Sequence, residues 1–155
     1  MIADAFYALF IIVPLILTSW NYELFEFNKM LAVYALTLII AAAWVIEMLR
    51  QKKLLFSRTP LDIPLLLFLI SQILSTIFSI DPHTSIWGYY SRFHGGLLST
   101  LSYIVLYYAY ARFMRGKTKP VISVILSTGL VVSLYGIAEH FGVDKHIWVQ
   151  DVQNR

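Results

Sequence analysis

The residues best suited to chemistry lie close together in the segment 81–96, which contains an arginine, two histidines, three glycines and several aromatic rings. Arg92 carries a planar guanidinium that can bind two oxygens of a phosphate group at once. Gly95 and Gly96 follow it just before a long apolar stretch, where backbone amides can approach an anion. These residues predict an anion site suited to a diphosphate headgroup. The alternatives are that Arg92 reaches lipid headgroups or pairs with Asp81, and that the glycines only form a turn.

Four further residues are weaker candidates for the same site: His94, Tyr89, Tyr90 and His140. The neutral ring of His94 can accept a hydroxyl proton near neutral pH, although a hydrogen-bonded structural histidine is the simpler interpretation. Aromatic side chains at such positions are also typical of anchors at a membrane surface. No catalytic residue is assigned. The histidine spacing does not predict a metal site, and no cofactor is expected.

The rest of the chain, which has to hold these residues in place, is strongly apolar. The chain of 155 residues is 59% hydrophobic and 14% charged, whereas soluble domains are about 25% charged. A transmembrane helix needs about 20 apolar residues, and five stretches approach or reach this length. They cover residues 5–20, 30–49, 61–80, 95–113 and 120–140. The sequence therefore predicts an all-α, polytopic membrane helix bundle with five transmembrane helices, and a bilayer as its surroundings.

The basic residues predict the orientation of this bundle. Two loops, those after the second and fourth stretches, hold eight of the twelve lysines and arginines: Arg50, Lys52, Lys53, Arg58, Arg112, Arg115, Lys117 and Lys119. Because cytoplasmic loops collect such residues, the amino terminus is predicted to be cytoplasmic and the segment 81–96 to lie outside. The net charge of +3 is explained by this topology, so no nucleic-acid partner is expected.

Small and weakly polar residues recur on one face of two stretches. One face carries Ser71, Ser75 and Ser79, and the other carries Gly129, Ser133 and Gly136. In lipid, small residues allow helix backbones to approach closely, and hydroxyl groups can form hydrogen bonds between helices. We therefore expect ordinary helix packing at both faces.

A family resemblance is carried by residues 79–97. The run contains Ser-x-Asp-Pro followed by Gly-x-x-x-Arg-x-x-Gly, and it is similar to the first large outer loop of the bacterial O-antigen ligase family. The stretch Thr59-Pro60-Leu61-Asp62 and the terminal Gln153-Asn154-Arg155 also resemble motifs of that family. By this likeness Arg92 and Arg155 match motif arginines, and Gly96 matches the motif glycine.

The resemblance implies a glycosyltransferase of the bacterial inner membrane. Its members transfer a glycan from undecaprenyl diphosphate to a lipid or protein acceptor on the outer side, without a metal or other cofactor. Arginines hold the diphosphate, and a base in a later outer loop activates the acceptor. Residues 1–155 would then be a single transmembrane unit, the amino-terminal part of a larger membrane domain, inactive without that loop. Ligase, polymerase and protein O-glycosylation activities are not separated by these motifs.

Two other classes of protein stay open. One is a transporter or flippase portion for lipid-linked sugars, and the other is a non-catalytic membrane scaffold. Transporters place ionisable residues near the membrane midplane. In this chain Glu47, Asp62 and Glu139 lie near the ends of the predicted spans, which weakens the transporter interpretation.

Overall fold

The computed structural model describes residues 1–16 and 26–143, which form six α-helices and no strand. The helices are α1 (Ile2–Leu15), α2 (Glu26–Gln51), α3 (Asp62–Ile77), α4 (Pro82–Trp87), α5 (Leu97–Phe113) and α6 (Thr118–His140). The predicted all-α class is confirmed for the described part of the chain.

Helix length separates two elements from the rest. α2 and α6 have 26 and 23 residues and are long and apolar enough to cross a membrane. α1 has 14 residues and α3 has 16, so both are shorter than predicted. At 1.5 Å per residue α3 covers about 24 Å, less than the roughly 30 Å of a hydrocarbon core. Pro14 lies in the last turn of α1, where it offers no amide to the Phe10 carbonyl, and the backbone becomes extended at Ile16.

The exposure of the two long helices distinguishes them from the core helices of a soluble protein. Only 33% of the most apolar part of α2 and 11% of that of α6 are buried. Large aliphatic side chains on α6, such as Leu126 and Leu130, are more than half exposed. Exposed apolar surface of this extent is costly in water but not in lipid. The two helices therefore favour a membrane protein.

The core lies where α1 meets the longer helices. α1 packs against α2 and α6, and α5 packs against α1, α2, α3 and α4. The buried centre consists of Phe6, Ile40, Ala109, Met114 and Val121. The absence of a side chain beyond Cβ at Ala109 lets α5 approach its neighbours closely. The ring of Phe6 also packs edge-on against Tyr110, which joins α1 to α5.

The helix arrangement gives the bundle two chemically different ends. Met1, the carboxyl end of α2 at Arg50 and the amino end of α6 at Lys117 line one cleft. The two basic loops therefore start at the same end as Met1, which we call the basic end. The amino end of α2 at Glu26 lies at the opposite end, together with the turn 88–96.

Apart from Ser79, whose hydroxyl accepts a hydrogen bond from the Ser85 hydroxyl of α4 at 2.6 Å, the two faces of small residues are not packed against other helices in the described part of the chain. Ser71 and Ser75 are exposed on α3, and no residue of α3 is buried. Gly129, Ser133 and Gly136 are exposed on α6. The hydroxyl of Ser133 donates to the Gly129 carbonyl of its own helix at 2.8 Å. The helix packing expected at these faces is therefore not observed within the described residues.

Candidate functional site

The first half of the segment 81–96 is a helix rather than a loop. The Asp81 carboxylate accepts hydrogen bonds from the amides of His83, at 3.1 Å, and Thr84, at 3.3 Å. Pro82 occupies the first turn of α4, where its missing amide hydrogen costs nothing. The hydroxyl and amide of Thr84, and then the amide of His83, hold the pKa of Asp81 below its usual range. Asp81 therefore serves as the cap of α4.

The second half is a tight turn that reverses the chain between α4 and α5. The Tyr89 amide donates to the His94 carbonyl at 3.1 Å, and the Tyr89 carbonyl accepts from the amides of Arg92 and Phe93. Gly88 has a φ of +88°, and its Cα lies against the backbone of His94. A Cβ atom at Gly96 would overlap backbone atoms of Gly88 and Ile86. The turn therefore depends on glycine at both of its ends.

The turn brings two side chains to one carboxylate at the start of α2. Oε2 of Glu26 lies 3.1 Å from Nε of Arg92 and 3.1 Å from Nε2 of His94. The three side chains are 44%, 47% and 43% exposed, respectively. We call Glu26, Arg92 and His94 the outer cluster. It joins residues that are far apart in the sequence into one half-exposed polar site.

Phe93 supports the outer cluster from the side of the bundle. Its backbone has a φ of +54°, which is uncommon for a residue with a side chain. The hydroxyl of Tyr34 donates to the Phe93 carbonyl at 2.6 Å, and the ring of Phe27 packs edge-on against the Phe93 ring. Both partners belong to α2. These contacts hold the turn against α2, so that Arg92 and His94 reach Glu26.

The two candidate glycines have internal roles in the turn. The Gly95 amide donates to Oγ of Ser99 at 3.1 Å, and that hydroxyl donates to the Gly96 carbonyl at 2.7 Å. Gly96 is buried and is the N-cap of α5. An anion at the Gly95 amide would have to displace the Ser99 hydroxyl. Anion binding by the glycine pair therefore stays a prediction. The two glycines also have a structural role, because both are hydrogen-bonded to Ser99 within the turn.

The other predicted residues lie around the outer cluster or away from it. The side chains of Tyr89 and Tyr90 are largely exposed on the turn. His140 is the last residue of α6, which packs against α1, and its ring contacts that of Phe141. Arg155 lies outside the described residues. Within the described part of the chain, no group of three or more His, Cys, Asp or Glu residues could hold a metal ion.

The structure adds Glu26, for which the sequence predicted no role in the site. The alternative partner proposed for Arg92 was Asp81, but the structure pairs Arg92 with Glu26 and uses Asp81 as a helix cap. The one available signal was that Glu26 and Arg92 carry opposite charges on the same predicted side of the membrane.

Comparison of the chain with protein-family models, with curated proteins and with solved structures finds no match. The likeness to O-antigen ligases therefore rests on the motif residues of the sequence.

Proposed function

We propose that this chain is a portion of an O-antigen ligase-like membrane glycosyltransferase. It would transfer a glycan from an undecaprenyl-diphosphate donor to a lipid or protein acceptor on the outer side of the bacterial inner membrane. The observation that carries the proposal is the position of Arg92. Arg92 belongs to the motif that resembles the O-antigen ligase family, and it lies half exposed at the end of an apolar bundle, next to Glu26.

The chemistry of transfer explains why a guanidinium is useful there. The bond from the anomeric carbon to the diphosphate breaks, and the diphosphate leaves with the electron pair. The acceptor oxygen bonds to the anomeric carbon, and its proton passes to a base that we do not assign within these residues. A fixed cation beside the leaving oxygens stabilises the developing charge, most strongly where water is scarce. The Nε–H of Arg92 points to the Glu26 carboxylate, which accepts it and so orients the Arg92 side chain.

The proposal includes a multi-pass topology in the inner membrane. In it all five apolar stretches cross the bilayer, the amino terminus is cytoplasmic, and the outer cluster lies outside. Two observations support this arrangement. Met1 and both basic loops share one end of the bundle, and α3, although short, exposes apolar side chains along its length. Shorter helices can be accommodated in a bilayer by local thinning.

The test uses the complete gene product in cells that lack the chromosomal copy. Arg92→Ala is compared with Arg92→Lys and with Arg115→Ala, which removes the same charge at the basic end. The measured quantities are transferred glycan, accumulated undecaprenyl-linked glycan and the amount of protein in the membrane. We expect Arg92→Ala to lower transfer by about 100-fold at unchanged membrane level, because a positioned cation is lost. Arg92→Lys should retain part of the activity, and Arg115→Ala nearly all of it.

The same measurements separate the other classes of function. Wild-type transfer from Arg92→Ala would remove Arg92 from any phosphate-binding role. Lipid-linked glycan that accumulates on the cytoplasmic face of the deletion strain would indicate a flippase. Unchanged lipid-linked glycan in the deletion strain would favour a scaffold.

A further inference from the structure

A second polar site lies at the basic end, away from the outer cluster. A cleft of about 490 Å³ opens between the start of α1, the end of α2 and the junction of α5 with α6. Its apolar lining includes Ile2, Ile46 and Phe113, and its basic residues are Arg50 and Lys117. The cleft therefore combines an apolar wall with two cations.

The charges in this cleft favour an anion. Arg50 and Lys117 are both exposed, and neither lies within 4.0 Å of a carboxylate oxygen in the described part of the chain. Asp4, which pairs with the terminal ammonium of Met1, is close enough to Lys117 to interact with its charge. Glu47 is the carboxylate in the lining, and it accepts a hydrogen bond from the side-chain amide of Gln51 at 2.5 Å. The lining side chains thus carry one more positive than negative charge. Further cations follow in the loops that begin at Gln51 and Phe113.

The position of the cleft favours a lipid over a free ion. Ile46 on the cleft and Leu49 next to Arg50 are exposed by 49% and 71%. An acyl chain can lie along such a surface while its headgroup meets the cations. Basic pockets between membrane helices commonly bind anionic headgroups in this way.

We propose that this cleft binds the phosphate of an acidic phospholipid, with Arg50 and Lys117 as its contacts and Ile2 and Ile46 beside the acyl chain. The site requires that the bundle lies in a bilayer. It does not require glycosyl transfer, so either proposal can fail without the other.

The experiment measures lipid binding to the complete purified protein. The protein is reconstituted in phosphatidylcholine nanodiscs with increasing phosphatidylglycerol, and bound acidic lipid is quantified with a spin-labelled phosphatidylglycerol. The variant Arg50→Gln/Lys117→Gln is compared with Lys53→Gln/Arg115→Gln, which removes one cation from each of the same two loops. Ala3→Leu narrows the cleft without a change of charge. Glu47→Gln removes the opposing carboxylate.

We expect the binding constant to fall about fivefold for each cation lost from the cleft, the factor that corresponds to about 1 kcal/mol. Ala3→Leu should weaken binding, and Glu47→Gln should strengthen it. The Lys53→Gln/Arg115→Gln variant should lose less of its affinity for the acidic lipid than the Arg50→Gln/Lys117→Gln variant.

Three results would overturn the proposal. An equal loss from both double variants would show a diffuse attraction to the basic loops. Equal binding of phosphatidylcholine and phosphatidylglycerol would exclude a site for acidic lipid. Displacement of the labelled lipid by inorganic phosphate at a matched phosphate concentration would identify a free-anion site instead. Unchanged folding of each variant is checked by its helical circular dichroism.

Discussion

Glu26 joins two residues of the turn to α2, yet its contacts are half exposed. Exposed ion pairs typically add no more than about 1 kcal/mol to stability, since water screens them. The geometry of the outer cluster is therefore more informative than its energy. By holding Nε of Arg92 at 3.1 Å, the carboxylate fixes where the guanidinium points. We infer that Glu26 is a positioning residue for Arg92.

This role predicts a specific effect of Glu26→Gln on transfer. Because the amide keeps the shape but loses the charge, Arg92 becomes less well oriented. We expect the KM for the lipid-linked donor to rise by about tenfold, the effect of about 1.4 kcal/mol, with a smaller change in kcat. The apparent melting temperature in detergent should change little.

Glu47→Gln provides the matched control, since it removes the same charge near the opposite end of α2, away from Arg92. It should leave the donor KM close to that of the wild type. A KM unchanged by Glu26→Gln, or changed equally by both variants, would contradict the positioning role.

Glu26 could not be identified from the sequence, for a physical reason. The second apolar stretch begins at Met30, so hydropathy assigned Glu26 to a loop. A helix is maintained by backbone hydrogen bonds, however, and α2 continues beyond its apolar part to Glu26. The partners Glu26 and Arg92 are separated by most of α2, all of α3 and α4, and a turn. No local pattern encodes such a contact.

At the scale of elements, the segment between α3 and α5 was predictable in part. Asp81 followed by Pro82 is a typical start of a helix, and α4 begins there. The positive φ of Phe93 has no such signal. It depends on the Tyr34 hydroxyl and the Phe27 ring, which are supplied by another helix. Local capping could therefore be inferred from the sequence, whereas the course of the turn could not.

The surroundings of two glycines, Gly96 in the turn and Gly129 in α6, predict opposite effects of alanine on stability. In Gly96→Ala the new methyl group overlaps backbone atoms of Gly88 and Ile86, which cannot move independently of the turn. Overpacking of this kind costs about 1–3 kcal/mol, so we expect a lower melting temperature. At Gly129, within α6, a Cβ atom meets nothing within 4 Å. Gly129→Ala should be neutral or stabilise by up to about 1 kcal/mol, because alanine favours helix.

Thermal unfolding of the purified variants in one detergent measures both effects. Gly96→Ala should also lower glycan transfer, since the turn carries Arg92. Equal melting temperatures for the Gly96→Ala variant and the wild type would show that the turn does not depend on the close approach of Gly88 and Gly96.

At the scale of the molecule, the helical class and the shared location of the basic loops were predictable. The class follows from the apolar composition, and the location of the loops follows from the order of apolar stretches and basic residues along the chain. Helix ends and the exposed faces depend on backbone hydrogen bonds and on contacts between elements. The Ser71–Ser75 face on α3 and the Gly129–Gly136 face on α6 show this difference. Their spacing is typical of helix contacts, but within the described residues both faces are exposed.

The proposed topology predicts the labelling of single cysteines, which is simple to test because the chain contains none. Tyr90→Cys lies on the turn, where the native side chain is 88% exposed, and Lys53→Cys lies at the basic end. In intact spheroplasts a membrane-impermeant maleimide should label Tyr90→Cys but not Lys53→Cys, which should react only after permeabilisation. The reverse pattern would invert the proposed orientation.

Leu130→Cys on α6, where the native side chain is 61% exposed, tests whether this helix faces lipid or water. In a bilayer it should stay unlabelled until the membrane is dissolved, because the thiolate does not form in hydrocarbon. Labelling of Leu130→Cys in intact membranes would show that α6 contacts water and does not span the bilayer.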